Sequence, residues 1–173
     1  MAKDIYVDFK SGEIKGDSRD SKHKDAVEVT TFSHMISQPK SSTASSAGGH
    51  TSERVEFGDL VFTKDIDYAT PALMAACSSG TLVKDIEVHF YRAYGGNTAK
   101  GEQSRHEYYT LKLKNTIISS VTTSMSSDGL PAETFTLKPA AMSWFYEEHK
   151  MDGSKGKKME KMWSLTTNKP ELA

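Results

Sequence analysis

The sequence predicts a mainly β protein, a closed antiparallel barrel or a sandwich, with one short helix. Three observations predict it. Apolar and polar residues alternate over most of the chain, turn residues recur at short spacing between the alternating runs, and a single segment carries both helix-start and helix-stop residues. The clearest alternating run is Asp85-Ile86-Glu87-Val88-His89-Phe90-Tyr91-Arg92, which points Ile86, Val88 and Phe90 to one face and Glu87, His89 and Tyr91 to the other. Tyr109, Leu111 and Leu113 alternate with Thr110, Lys112 and Lys114 in the same way, and further strands are expected to begin at Ile5, Val27, Val55, Ile117, Glu133, Met142 and Met159.

The turns between these runs are readable. Asp128-Gly129 and Asp152-Gly153 are pairs that accept positive φ in tight hairpins. Gly95-Gly96-Asn97 opens a polar connection reaching about His106. Pro139 cannot donate to a β-ladder, so it is expected to mark a bend or an edge between Phe135-Thr136-Leu137 and Met142-Ser143-Trp144.

The helix is expected between Thr70, a good N-cap, and Gly80, a left-handed stop, with Pro71 at the first helical position. Leu73, Ala76 and Cys77 fall on one face at helical spacing, and this face is expected to plug or flank the barrel. The segment around residues 37–53, rich in serine and glycine, exceeds the usual connection of roughly 4–6 residues. It reads either as a solvated loop or as an arm that orders against another subunit, and the residues alone leave both open.

A chain of 173 residues fits one domain, residues 1–173, and can bury a substantial core. Its 36% hydrophobic and 26% charged residues are those of an ordinary globular protein. Lys and Arg number 22 against 23 acidic residues, a net charge of -1, which argues against nucleic acid as the main partner and lets identical subunits approach without strong repulsion. Cys77 is the only cysteine, so no intrachain disulfide is possible. The first residues, Met1-Ala2-Lys3-Asp4-Ile5-Tyr6-Val7-Asp8, interleave charges with apolar residues, so no cleaved leader is expected. No run approaches the roughly 20 apolar residues of a membrane span.

Candidate chemistry is sparse. The histidines His23, His34, His50, His89, His106 and His149 show no metal-ligand spacing, so no metal site is expected and most should be solvated. Cys77 lies near the C-terminal end of its helix, where the dipole opposes a thiolate, and Ser78-Ser79-Gly80 lacks the nucleophile-elbow pattern. The Gly153-Ser154-Lys155-Gly156-Lys157-Lys158 turn misses phosphate-loop spacing and reads as a solvated basic hairpin. Glu147 and Glu148 are adjacent and so fall on opposite strand faces, poor geometry for an acid–base pair. No catalytic residue, cofactor or enzymatic activity is expected.

Taken together the chain resembles a known family, the haemolysin-coregulated proteins (Hcp) of type VI secretion, over essentially its whole length. Asp4-Ile5-Tyr6-Val7 and Ile14-Lys15-Gly16-Asp17-Ser18 begin the resemblance, and residues 55–80 carry it best. Within that stretch Phe62-Thr63-Lys64 is followed by Thr70-Pro71-x-Leu73 and Ala76-Cys77, a compound signature. Ile118-Ser119-Ser120-Val121 and Lys161-Met162-Trp163-Ser164-Leu165 extend it. The resemblance implies a small antiparallel β-barrel with one short α-helix. It implies copies that assemble as homohexameric rings and stack into a hollow tube, driven out by a contractile sheath behind a spike and able to carry small effector proteins in the lumen. It implies a protein that is cytoplasmic before firing and then secreted without a signal peptide, inserting in no membrane. By position, the extended loop corresponds to an arm reaching a neighbouring ring, with Gln38, Lys40, Ser41, Ser42, Thr43, Ser45, Ser46 and His50 as contact residues.

Heterologous ring contacts need two different patches on each subunit. Phe32 beside Val27 and Val29, and Phe145 beside Trp144, are candidates for them. The competing reading is a monomeric barrel or sandwich that binds a ligand or a protein in a cleft. A toxin with a catalytic extension is disfavoured, because the chain ends at Pro170-Glu171-Leu172-Ala173, directly after the last expected strand.

Overall fold

The computed structural model describes residues 3–39, 54–93, 105–125, 129, 131–150 and 154–172. Among them lie β1 (Lys3–Phe9), β2 (Val27–Val29), β3 (Thr31–Ser33), β4 (Ile36–Ser37), β5 (Glu56–Phe57), β6 (Leu60–Asp65), α1 (Thr70–Ser79), β7 (Leu82–Ala93), β8 (Arg105–Ser124), β9 (Ala132–His149) and β10 (Lys155–Ser164). One antiparallel sheet runs in the order β2-β1-β7-β8-β9-β6-β3, with β10 added to β9, while β4 and β5 form a separate two-stranded sheet. The two ends of the large sheet, β2 and β3, are consecutive in the chain with Thr30 alone between them. The backbone N–H of Thr30 donates to the Thr63 carbonyl at 2.8 Å and its hydroxyl does so at 2.9 Å. The sheet therefore closes on itself, and the architecture is the β-barrel with one short helix that the sequence predicts.

Alternation puts one apolar face inside. Val7, Leu60, Phe62, Val88, Leu111, Leu113, Phe135, Leu137 and Met142 are buried in a single cluster. Phe62 lies at its centre, stacked on Phe135 at 5.1 Å between ring centroids and against Phe32 at 5.2 Å, and Phe32 in turn meets Phe90 at 5.1 Å. Phe32 is thus partly buried against the core.

Two expected strands on each side of the β8–β9 pair are in fact single long strands. The runs starting at Tyr109 and Ile117 both belong to β8, and those starting at Glu133 and Met142 both belong to β9. What separates them is a phase slip. Leu111 and Leu113 of β8 are buried, but beyond Asn115, which adopts φ 48°, the buried residues are Thr116 and Ile118. In β9, Phe135 and Leu137 are buried on one side of Pro139 and Met142 on the other. The register is held across this point, with Lys114 opposite Ala141 and Thr116 opposite Pro139, and shifts by one only between Ile118 and Ser120. Pro139 therefore does not end its strand. It sits where the second neighbour of β9 changes from β6, paired as far as Leu137, to β10, paired from Ala141, so its missing N–H breaks no ladder on that side.

The helix also starts differently from expectation. Thr70 is its first residue and Ala69 the flanking one, with no side-chain cap of its own. Asp67 takes over that role by accepting the Ala69 N–H at 2.9 Å, while the Thr70 hydroxyl accepts the Asp67 N–H at 3.3 Å. The stop is as expected: Gly80 is left-handed at φ 64°, and the N–H groups of Gly80 and Thr81 meet the carbonyls of Cys77 and Ala76. Leu73 is fully buried, and Ala76 and Cys77 are half-buried against the same core.

Of the expected arm, Ser37 closes β4 and Gln38 is exposed beyond it. Lys40, Ser41, Ser42, Thr43, Ser45, Ser46 and His50 lie outside the described residues, as do Asp128, the Asp152-Gly153 turn and Gly95-Gly96-Asn97.

Candidate assembly surface

A buried ammonium organises the corner that leads from β6 into the helix. Lys64 shares its strand face with Leu60 and Phe62, so its side chain enters the core, where it is fully buried. Its three N–H bonds go to Asp67 Oδ1 at 2.6 Å, the Thr70 hydroxyl at 3.1 Å and the Asp65 carbonyl at 3.1 Å. Glu133, its cross-strand neighbour on β9, is equally buried and lies 3.1 Å away as an ion pair without a hydrogen bond, because the donors are already used. The corner is pinned elsewhere too. Ile66 N–H donates to the Pro131 carbonyl at 3.2 Å, and Tyr68 N–H to Asp17 Oδ2 at 3.1 Å.

On the outer face, the segment between β1 and β2 is clasped to the barrel by a polar and aromatic cluster. The His23 ring is stacked on Tyr6 at 4.7 Å, lies 4.6 Å from the ring of His89, and places Nε2 2.6 Å from the Tyr91 hydroxyl. His89 Nδ1 donates to Glu107 at 2.7 Å, as does Thr110 at 2.6 Å. Arg105 holds Asp4 and the Tyr6 hydroxyl, each at 2.7 Å, and also Asp20 of the clasped segment. A Cβ at Gly16 would lie 2.3 Å from the Ala26 carbonyl oxygen, so only glycine allows the segment to fold back so closely. The five histidines among the described residues are not the solvated surface residues expected for most of them from the sequence. His23 is buried, and His106 and His149 pack on each other at 4.6 Å.

The electrostatics of this clasp have a definite sign. Burial pushes the His23 imidazole below its ordinary value of 6.5, and the neighbouring His89 adds to this. His34 and His106 are lowered too, in each case first by burial. Burial opposes ionisation of Glu107, but the hydrogen bonds from His89 and Thr110 win and hold it down to about 2. A histidine lowered on folding leaves the unfolded chain with more bound protons in acid, so stability is level above about pH 6.5 and falls below it. The Glu107 contribution is present above 4.5 and fades as the pH approaches about 2. The melting temperature is expected to drop as the pH is taken from about 7.5 to about 5, and His23→Gln should flatten part of that slope. A melting temperature independent of pH over that window would contradict this account of the clasp.

Among the large apolar side chains left on the outside, two groups differ in the charge beside them. At the corner, Ile66 is 46% and Tyr68 71% exposed, beside the exposed carboxylate of Asp65. At the opposite end of β6, Phe32, His34, Ile36, Tyr109 and Trp144 line an open groove of about 460 Å³. The row Tyr109–Tyr146–Met159 runs across β8, β9 and β10 at its edge, with Lys161 opposite Trp144 in the next row. Glu147 is buried on the other face as the counter-ion of Lys155 and Lys158. The basic hairpin is therefore partly structural.

Against known proteins, the model of the family described as "Type VI secretion system effector, Hcp" matches residues 6–146. The chain belongs to the Hcp family. It is similar to Protein hcp1 of Pseudomonas aeruginosa, 34% identical over 170 residues, covering 97% of this chain and 98% of that one. A Major exported protein of the same organism is 32% identical over 103 residues, 60% of this chain and 54% of its own. Among solved structures, one described as a type six secretion system protein superposes with a TM-score of 0.82 at 25% identity, covering 98% of this chain and 100% of that one.

Hcp membership gives the compound signature a physical reading. Phe62 centres the core, Lys64 anchors the corner, Thr70 and Pro71 begin the helix, and Leu73 seats it. Glu133 was not singled out from the sequence, although its parity with Phe135 and Leu137 places it inside. His23 carries no such signal, because it lies in no regular strand. Among the described residues no three His, Cys, Asp or Glu side chains are grouped to hold a metal, and no helix is long and apolar enough to cross a membrane.

Proposed function

We propose that this chain is a non-catalytic structural subunit of the type VI secretion inner tube. Six copies close into a ring, rings stack into a hollow tube, and small effectors travel in the lumen while a sheath and a spike act outside it and ahead of it. The protein is held in the cytoplasm until firing and then leaves the cell through that machine. The observation that carries this reading is a family match spanning most of the barrel, on a chain whose described surface keeps several large apolar side chains exposed. The near-zero net charge of -1 supports close approach of identical copies.

The purified protein at micromolar concentration is expected to show six-membered rings in negative stain and a mass about six times that of the 19.1 kDa chain in light scattering. A clean monomer at every concentration would overturn the reading in favour of a monomeric binding module. The segment around residues 37–53, with Gln38, Lys40, Ser41, Ser42, Thr43, Ser45, Ser46 and His50, is assigned to contacts between rings. Deleting residues 41–46 should leave rings intact and weaken their stacking, and loss of the rings themselves would refute that assignment.

A further inference from the structure

We infer that the joint between neighbouring copies within the ring forms when the β6–α1 corner of one copy, led by Tyr68, enters the aromatic groove of the next, with Asp65 meeting Lys161. The inference rests on the self-assembly proposed above and assigns its two unlike patches. Tyr68 is the most exposed large apolar side chain of the corner, at 71%. It is also held in place. Its own N–H is bound by Asp17, the residue before it is clamped by the buried Lys64 ammonium, and Ile66 is fixed to Pro131. A side chain presented on a rigid backbone loses little freedom on docking, and an aromatic anchor filling a pocket is the commonest form of an interface hot spot.

The groove is the matching receptor on this same chain. Its about 460 Å³ is lined by Phe32, His34, Ile36, Tyr109 and Trp144, and Tyr146 and Met159 at its edge are 44% and 59% exposed. Edge-to-face and offset contacts among rings favour a tyrosine as occupant. Charge selects the direction. Asp65 is exposed at the corner, Lys161 is exposed at the groove, and neither makes a side-chain ion pair among the described residues. The other exposed apolar pair, Leu82 opposite Ile117, lies on two paired strands beside the exposed lysines Lys84 and Lys138, the like charge of Lys161 rather than a partner for it. Corner and groove sit at opposite ends of β6, so one copy offers both at once, which is what a head-to-tail ring requires.

The test is a disulfide trap in the full chain. In a Cys77→Ala background, Tyr68→Cys and Met159→Cys together should give, on oxidation, a covalent ladder up to the full ring, and either cysteine alone should give no ladder. Asp65→Lys and Lys161→Glu, each folded by circular dichroism, should each raise the concentration needed for assembly by about tenfold or more, and the two together should restore it. Wild-type rings with no ladder and no effect of the charge changes would overturn the assigned joint while leaving the tube reading intact. A wild-type chain that never assembles would overturn both.

Discussion

Replacing Lys64 by alanine is expected to destabilise the fold by about 3–5 kcal/mol, read from urea unfolding at fixed protein concentration. The size follows from what is left behind. Glu133 is fully buried and, among the described residues, its one neighbour of opposite charge is the Lys64 ammonium, while Asp67 also loses its shortest partner. A single deletion strands a carboxylate inside the barrel, and the ammonium can be spared only if the charge it balances goes with it. Lys64→Met combined with Glu133→Leu should therefore recover most of the loss, because a well-packed apolar pair can replace a buried ion pair at little cost. If the double variant were as unstable as Lys64→Ala, the pair would not be the reason for the effect.

Phe62→Ala is expected to cost about 3–5 kcal/mol as well, by a different route. Phe62 is fully buried and bridges Phe32 of β3 and Phe135 of β9, so it joins two strands that β6 alone holds together. Truncation leaves a cavity where three rings met. The structure should be unable to collapse around it, since the flanking rings are held by their own strands. Phe62→Leu should lose much less. Equal losses for the two would mean that the cavity is not the source, and a loss below about 1 kcal/mol for alanine would remove Phe62 from the centre of the core.

Both sites show what period-two reading can and cannot recover. The strands were legible because inward residues such as Ile86, Val88 and Phe90 recur at every second position. The same parity would have put Lys64 beside Leu60 and Phe62, and Glu133 beside Phe135 and Leu137. The charge of these two residues hides their burial until the two strands are known to be neighbours. Long strands were read as pairs of short ones because alternation is a local signal and Asn115 resets its phase. Closure at Thr30 rests on hydrogen bonds to Thr63, and the clasp at His23 on contacts with residues tens of positions away, so neither leaves a local pattern. The helix was placed within a residue, and its capping differs because Asp67 lies one turn earlier than a cap is sought.

The matched slip in β8 and β9 makes these strands behave like two rulers that skip the same tick. Removing one residue from either strand near Asn115 or Pro139 would send half its side chains through the wall, apolar groups outward and charged ones inward. Removing one from each would make the two rulers agree again, yet leave β8 out of step with β7 and β9 with β6 or β10. Length in this part of the wall is therefore fixed from both sides of each strand.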